Sequence, residues 1–228
     1  MHTQGIRHAV ATAPCHRTYL ATKRGLDVAL AGLLLAMTSP LLLLIALAIR
    51  LDSRGTVLLR QTRVGQHGRL FTCYKFRTMA QNADPELHRR YMRAFIHDCL
   101  PNRDEPTPSA AVFKLADDPR VTRVGRILRR TSLDELPQLL NVLRGDMSLV
   151  GPRPALPYEV EEYEAWHRAR LGVAPGITGW WQVYGRSRVS FEQMVTMDLH
   201  YIARQSLALD IKLLLLTVPA VVLRKGAR

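Results

Sequence analysis

The chain is short of acid, short of cysteine, and lacks most of the motifs by which soluble nucleotide or metal enzymes are recognised. Nineteen Asp and Glu stand against 32 Lys and Arg in 228 residues, a net charge of +13. That shortage excludes an acidic interaction protein and implies an anionic partner: nucleic acid, lipid headgroups or a phosphate-bearing substrate. The three cysteines, Cys15, Cys73 and Cys99, have no paired zinc spacing and no disulfide pattern, as expected in a reducing compartment. No Walker motif, glycine-rich dinucleotide fingerprint or internal repeat occurs, and the eight histidines are scattered. The length suits a single domain with a real core.

Charge is missing altogether between Val28 and Ile49, a Leu-dominated run long enough to cross a bilayer as a helix. A secretory signal fits poorly. Lys23 and Arg24 lie about twenty residues in, the apolar run is long, and no small-x-small cleavage site follows before Arg50. Basic residues flank both ends, so the positive-inside bias does not fix an orientation. Ser39 and Pro40 sit near the centre of the run. Proline removes a backbone donor and bends or breaks a helix, and a serine hydroxyl can bond the carbonyl so freed. Two readings stay open: a kinked spanning helix, or a helix that enters and leaves by one face.

The remainder reads as α/β, mostly helical with a small sheet. Thr56–Leu59 and Leu70–Tyr74 read as short strands, and Gly65 and Gly68 between them as a hairpin turn. Helices are expected over Pro85–Cys99, Val121–Arg130, about Asp134–Leu143 and Glu159–Ala169, with residues 101–109 a proline-rich loop. Pro152, Pro154 and Pro157 mark a stiff extended stretch, and Pro175–Arg186 a loop or short strand. Phe191–Leu223 reads as mostly helical, with Ile211–Leu223 apolar enough to lie in a membrane interface. Trp166, Trp180, Trp181 and Tyr184 read as core or interface anchors rather than a base-stacking platform.

The sharpest constellation is Thr131-Ser132-Leu133-Asp134-Glu135-Leu136-Pro137-Gln138. One reading is a capping box, Ser132 with Glu135. The other is chemical: Asp134 attacks phosphorus, since carboxylates form acyl-phosphate intermediates. A carboxylate approaching a diphosphate is repelled, so that chemistry needs a divalent metal and guanidinium groups. Magnesium takes one or two carboxylates plus substrate phosphates, which suits an Asp-Glu pair. Arg120, Arg123, Arg126, Arg129 and Arg130 recur just before the pair. The first three read as a solvated or headgroup-facing stripe, while Arg129 lies close to Asp134 in sequence. Arg153, between two prolines, is presented on a stiff segment, for phosphate or for a structural salt bridge. Lys75 and Arg77 form a second cationic pair.

These blocks together resemble the bacterial sugar transferases, the monotopic phosphoglycosyl transferases. The resemblance runs from about Lys23 to the C-terminus. It rests on Lys23-Arg24 with Asp27; Ser39-Pro40; Gln61, Arg63 and Gly65; Tyr74-Lys75-Phe76-Arg77-Thr78-Met79; and Asp118-Pro119-Arg120. Ser132 to Gln138, Asn141, Met147 to Pro154, Pro175 to Gly179 and Trp181-Gln182-Val183 complete it.

The resemblance implies a re-entrant helix broken at Ser39-Pro40. Residues 1–22 would be an arm, 23–52 the membrane helix-break-helix, and 53–228 a catalytic domain ending in an interfacial helix. It implies an enzyme at the cytoplasmic face of a bacterial inner membrane. Such an enzyme moves a sugar phosphate from a UDP-sugar to polyprenyl (undecaprenyl) phosphate by a ping-pong route. Asp134 would be the nucleophile and a magnesium ligand, and Glu135 its partner. Arg129 and Arg153 would hold phosphates and nucleotide, with Lys75 and Arg77 beside them. Large members carry further membrane helices and a soluble domain ahead of this core, so the chain resembles the minimal form. Residues 81–114 match no pattern. The sugar, the glycan and any homodimer are not readable. The competing readings are a membrane-anchored nucleic-acid binder, which lacks any recognised binding motif, and a non-catalytic scaffold, which would need no acidic pair beside arginines.

Overall fold

The computed structural model describes residues 17–79, 85–97, 120–185 and 189–222. The architecture is mostly helical, with two small two-stranded sheets among the described residues. The expected loop at 101–109, most of 81–114, and residues 1–16 lie outside the described residues.

The charge-free run forms one helix, α1, Arg17–Asp52, with Pro40 inside it. It begins ahead of the expected start at Lys23. At about 1.5 Å per residue it measures about 54 Å, against about 30 Å for a bilayer's apolar thickness. Pro40 has no N–H for the carbonyl of Ala36, and the Ser39 hydroxyl donates to that oxygen at 2.8 Å. Thr38 does the same to Leu34 O at 2.6 Å. The backbone acceptor is thereby satisfied inside an apolar stretch, where leaving it bare is costly. The helix is long and apolar enough to cross a membrane, and large side chains such as Leu43 (73% exposed) and Leu47 (57%) are uncovered by protein.

The two ends of α1 are not free. Near the start, Lys23 pairs with Asp210 at 2.9 Å, and the Tyr19 and Tyr201 hydroxyls bond the same carboxylate. Arg24 donates to the Val142 and Leu143 carbonyls, and buried Asp27 accepts from Ser148 Oγ at 2.7 Å and Leu149 N at 3.1 Å. Near the end, Ile45 and Ile49 pack with Phe76 and Leu128. The cations that flank the apolar run on its N-terminal side therefore hold protein to protein, which their sequence position does not show.

The hairpin forms around the expected turn, with its first strand later than the expected Thr56–Leu59. β1, Leu58–Val64, pairs antiparallel with β2, Leu70–Phe76, with Leu58 opposite Phe76 and Val64 opposite Leu70. Gly65 N–H donates to Arg69 O at 2.7 Å across the turn. α2 covers Pro85–Ile96, and α3 covers Arg123–Thr131. A tight 3-10 turn, Leu133–Gln138, then leads into α4, Leu139–Arg144. β3, Ser148–Val150, pairs in parallel with β4, Gly176–Thr178. A side chain at Gly176 would lie 2.1 Å from the Gly151 backbone, so only glycine lets these strands meet.

The expected helix at Glu159–Ala169 is interrupted. α5 is Pro157–Glu161, and a separate 3-10 turn spans His167–Gly172. α6, Trp180–Tyr184, follows β4. The C-terminal helical stretch divides into α7, Phe191–Ala203, and α8, Leu207–Val222. α7 supplies much of the main core through Phe191, Val195 and Leu199, against Val142, Met147 and Leu149. Trp166, Trp180 and Trp181 pack against this core, as expected of anchoring aromatics. Buried Asp198 on α7 pairs with buried Arg170. On α8, Ile211, Leu215 and Val218 are exposed while Leu213 is buried, an apolar outer face where an interfacial segment was expected.

α3 is seated by its own small residue. A Cβ at Gly125 would lie 2.1 Å from Thr78 O. An exposed helix glycine usually tolerates alanine with a benefit of roughly 0.5–1 kcal/mol. Here Gly125→Ala is expected to destabilise by about 1–3 kcal/mol, because overpacking outweighs propensity. The unfolding midpoint of the detergent-solubilised protein checks this; an unchanged or raised midpoint contradicts the packing.

Candidate active site

Asp134 and Glu135 are presented by a chain reversal. α3 begins at Thr122, whose hydroxyl accepts from Gly125 N, while Asp52 at the end of α1 accepts from Val124 N at 3.0 Å. It ends at Ser132, in the left-handed region at φ 57°. The 3-10 turn follows at once, with both acids in its first turn and Pro137 within it. Leu133 packs on the Ile49–Phe76–Leu128 cluster and Leu136 on the main core, so two apolar neighbours fix the acidic pair between them. The capping box does not form. Ser132 makes no side-chain cap, and Glu135 is engaged elsewhere.

That engagement is with β2. Lys75 Nζ donates to Glu135 Oε1 at 2.7 Å, the carboxylate side chain being 38% exposed. Strand alternation places Gln61, Arg63, Cys73 and Lys75 on one face of the hairpin. Arg63, Cys73 and Lys75 of this face line a small solvent-open cleft together with Glu135, Gln138, Arg153 and Gln182. Asp134 is not among the lining residues; Glu135, Lys75 and Arg129 are the charges that act on it.

The electrostatics separate the two acids. Burial, reinforced by the neighbouring Glu135 charge, pushes the Asp134 carboxyl up to about 6, against the opposing pull of Lys75 and Arg129. Burial acts the same way on Glu135, but Lys75, with Arg153 and Arg63, outweighs it and holds that carboxyl below its usual range. Such divergence between neighbouring acids is characteristic of functional sites.

The cations play different parts. Arg153 is exposed between buried Pro152 and Pro154. Its segment is pinned on both sides: Gly176 N–H donates to Pro152 O at 2.8 Å, and Arg63 donates to Pro154 O at 2.9 Å. No salt bridge ties up the Arg153 guanidinium among the described residues. Arg63 is buried and bonded to Gln61 Oε1 and Pro154 O, with no carboxylate partner among them. Arg63, Lys75 and Arg153 thus face a single cleft carboxylate, Glu135. Arg129 Nε donates to Thr78 Oγ1 at 2.8 Å, and its charge reaches Asp134. Arg77 is a correction to the expected set. It is buried and donates to the Arg54 and Ser53 carbonyls beyond α1, so its guanidinium serves the exit of that helix and not the cleft.

Some residues of the site carried no expected role. Arg63 is one. Gln138 is another: it is 3% exposed and lines the cleft. Asn141 is fully buried; its Oδ1 accepts from Tyr74 N and its Nδ2 donates to Thr72 O, which fixes α4 to β2. An amide between apolar Leu140 and Val142 is the available signal, since a buried polar group must be hydrogen-bonded. Cys73 is buried, and burial pushes its thiol up, away from reactivity.

Among the described residues no three His, Cys, Asp or Glu side chains group as a complete metal cage. Asp134 and Glu135 stand side by side in the 3-10 turn, and magnesium usually takes one or two carboxylates together with substrate phosphates.

Comparison with known proteins identifies the family. The family profile described as bacterial sugar transferase matches residues 18–224. The chain is 42% identical over 206 residues to "Exopolysaccharide production protein ExoY" of Sinorhizobium fredii, covering 90% of this chain and 88% of that protein. It is 42% identical over 205 residues to the "Undecaprenyl-phosphate galactose phosphotransferase" of Salmonella typhimurium, covering 90% of this chain and 41% of that protein. The "Undecaprenyl-phosphate glucose phosphotransferase" of Komagataeibacter xylinus is also 42% identical, over 90% of this chain and 36% of its own length.

The charge of Asp134 is lost as pH falls through about 6. In chelator-treated protein carrying carbon-13 at aspartate carboxyls, the Asp134 resonance is expected to titrate near that value. Lys75→Met is expected to move the midpoint upward, because the ammonium favours the carboxylate. A midpoint in the ordinary aspartate range contradicts the environment described.

Proposed function

The chain belongs to the bacterial sugar transferase family, and we propose that it moves a sugar 1-phosphate from a UDP-sugar to undecaprenyl phosphate through a covalent aspartyl intermediate. The observation that carries this reading is the pairing of the Asp134-Glu135 turn with a cleft in which three cations face one carboxylate. Such an excess matches a diphosphate. The printed names of the Salmonella and Komagataeibacter relatives support the acceptor, and that of the Sinorhizobium relative supports a place in polysaccharide production.

In the first half-reaction an Asp134 oxygen bonds to the phosphorus that carries the sugar. The bond from that phosphorus to the bridging oxygen breaks, and uridine monophosphate leaves with the electron pair. In the second, an oxygen of the lipid phosphate bonds to the same phosphorus. The acyl–phosphate bond breaks, the Asp134 carboxylate is restored, and the product is a sugar–diphospho lipid. Arg63, Lys75 and Arg153 hold the phosphates, and Arg129 lowers the cost of charge at Asp134. Glu135, kept ionised by Lys75, takes the remaining proton of the acceptor phosphate. Asp134 would hold a magnesium ion, which would supply further neutralisation of the phosphates' charge.

The acceptor is a lipid, so the site lies at a membrane surface. α1 runs as one helix through Ser39-Pro40, so the support for a re-entrant course comes from its contacts at the two ends. Asp27 near one end and Ile45, Ile49 and Asp52 near the other all bind the same body, while Leu33, Leu34, Leu41, Leu43 and Leu44 between them are exposed. A helix gripped at both ends by one polar body enters and leaves on that body's side. The exposed apolar face of α8 adds a second shallow contact. In this reading the enzyme sits on the cytoplasmic face of the inner membrane, where its nucleotide sugar is made.

Asp134→Asn is expected to abolish release of uridine monophosphate from UDP-sugars by reconstituted protein with magnesium and undecaprenyl phosphate, with membrane association intact. Without acceptor, the unaltered protein is expected to retain label from a UDP-sugar phosphorylated with radioactive phosphorus beside the sugar. Turnover by Asp134→Asn, or no retained label, would sink the covalent route. Arg153→Met is expected to lower kcat/KM for the donor at least tenfold, the scale of a lost charge-assisted phosphate contact.

A further inference from the structure

One face of α3 has no part in the chemistry above. Arg123, Arg126, Ile127 and Arg130 fall at helical positions i, i+3, i+4 and i+7, so they share one stripe. All four are exposed, Ile127 to 61%. The other side is the packed one, with Gly125 and Leu128 buried. The helix holds no acidic residue, and no side-chain hydrogen bond or ion pair to a described residue engages these three guanidiniums.

A branched apolar side chain ringed by three guanidiniums is costly in water and well suited to a boundary where anionic phosphate overlies hydrocarbon. The position of α3 agrees. Its first turn is capped by Asp52, and Leu128 and Val124 pack on Ile45 and Ile49, so it lies along the last turns of the apolar α1. On α1 itself Leu44, Leu47 and Leu51 stay exposed beside it. Nucleic acid is the other polyanion, but its phosphate backbone provides no apolar layer for Ile127.

We infer that this face of α3 docks on anionic phospholipid headgroups, with Arg123, Arg126 and Arg130 taking phosphates and Ile127 entering the boundary below them. The inference rests on the membrane association proposed above. Docking there has a consequence for the chemistry. Because α3 also carries Arg129 and ends at the reversal before Asp134, headgroup contact sets the height of the acidic turn over the bilayer. Phosphatidylglycerol-type headgroups, with one net negative charge each, meet the requirement.

The test uses the full chain with Ile127→Cys carrying a nitroxide, in nanodiscs of phosphatidylcholine alone or with about a third phosphatidylglycerol. In the anionic discs, collision of the label with an aqueous nickel chelate is expected to fall several-fold and collision with oxygen to rise. Adding Arg123→Gln, Arg126→Gln and Arg130→Gln is expected to return both to the phosphatidylcholine values. Free inorganic phosphate and a short RNA, added to phosphatidylcholine discs, are expected to change neither. Equal values in both lipid compositions, or shielding that survives the triple glutamine variant, overturns the inference. So does shielding by RNA, which identifies a nucleic-acid surface. A second label at Leu47→Cys reports insertion of α1. If it is lipid-exposed while position 127 ignores lipid charge, this inference fails and the membrane reading stands; if it too is in water, the membrane reading fails.

Discussion

The 2.7 Å ion pair between Lys75 and Glu135 is the contact on which the site depends. It joins the hairpin to the acidic turn, two elements that are otherwise held together by packing and, through α4, by the Asn141 amide. It also decides the charge states of two adjacent carboxylates. Two like charges side by side resist ionisation, and burial adds to that resistance. The ammonium settles the contest in favour of Glu135 and leaves Asp134 the more weakly acidic of the two. Asp134 is thereby more basic than an ordinary surface aspartate, and a more basic oxygen is a better nucleophile. The same lysine, with Arg63 and Arg153, leaves the cleft electropositive after Glu135 is counted.

Much of this was legible in the amino-acid order. The hairpin announced itself by two strand-like runs on either side of Gly65 and Gly68, and the acidic pair by its place before Pro137. Ser39 was expected to bond a carbonyl freed by Pro40, and it does so at 2.8 Å. Local rules failed where tertiary contacts took over. Ser132 and Glu135 have the spacing of a capping box, but Lys75 lies more than fifty positions upstream and claims the glutamate. Arg77 has the charge and neighbourhood of a phosphate ligand, yet it turns toward the end of α1, where the Ser53 and Arg54 carbonyls take its guanidinium. The expected helix at Glu159–Ala169 breaks for one local and one distant reason: His167 Nδ1 accepts from Glu164 N at 3.0 Å, and buried Arg170 is drawn to Asp198. Lys75, Ser53, Arg54 and Asp198 all lie far along the chain from the residues they capture, so no local pattern reports them.

Charge is used in three different ways along the chain. In the cleft, guanidinium and ammonium groups are left with too few carboxylates. Within the body, charges are matched: Arg170 with Asp198, and Lys23 with Asp210. Buried pairs of this sort contribute little net stability when intact, but leave an uncompensated charge when one partner is removed. On α3 the arginines face outward without acidic partners on their own helix. The composition sums all three into one basic excess and cannot distinguish them.

The grip of Lys23, Arg24 and Asp27 on α8, α4 and β3 makes the apolar helix a wall of the globular body and not a detachable anchor. Ala31 is fully buried in the main core, and Ile45 and Ile49 complete the smaller one. A water-soluble form made by trimming this segment would therefore lose core as well as anchorage.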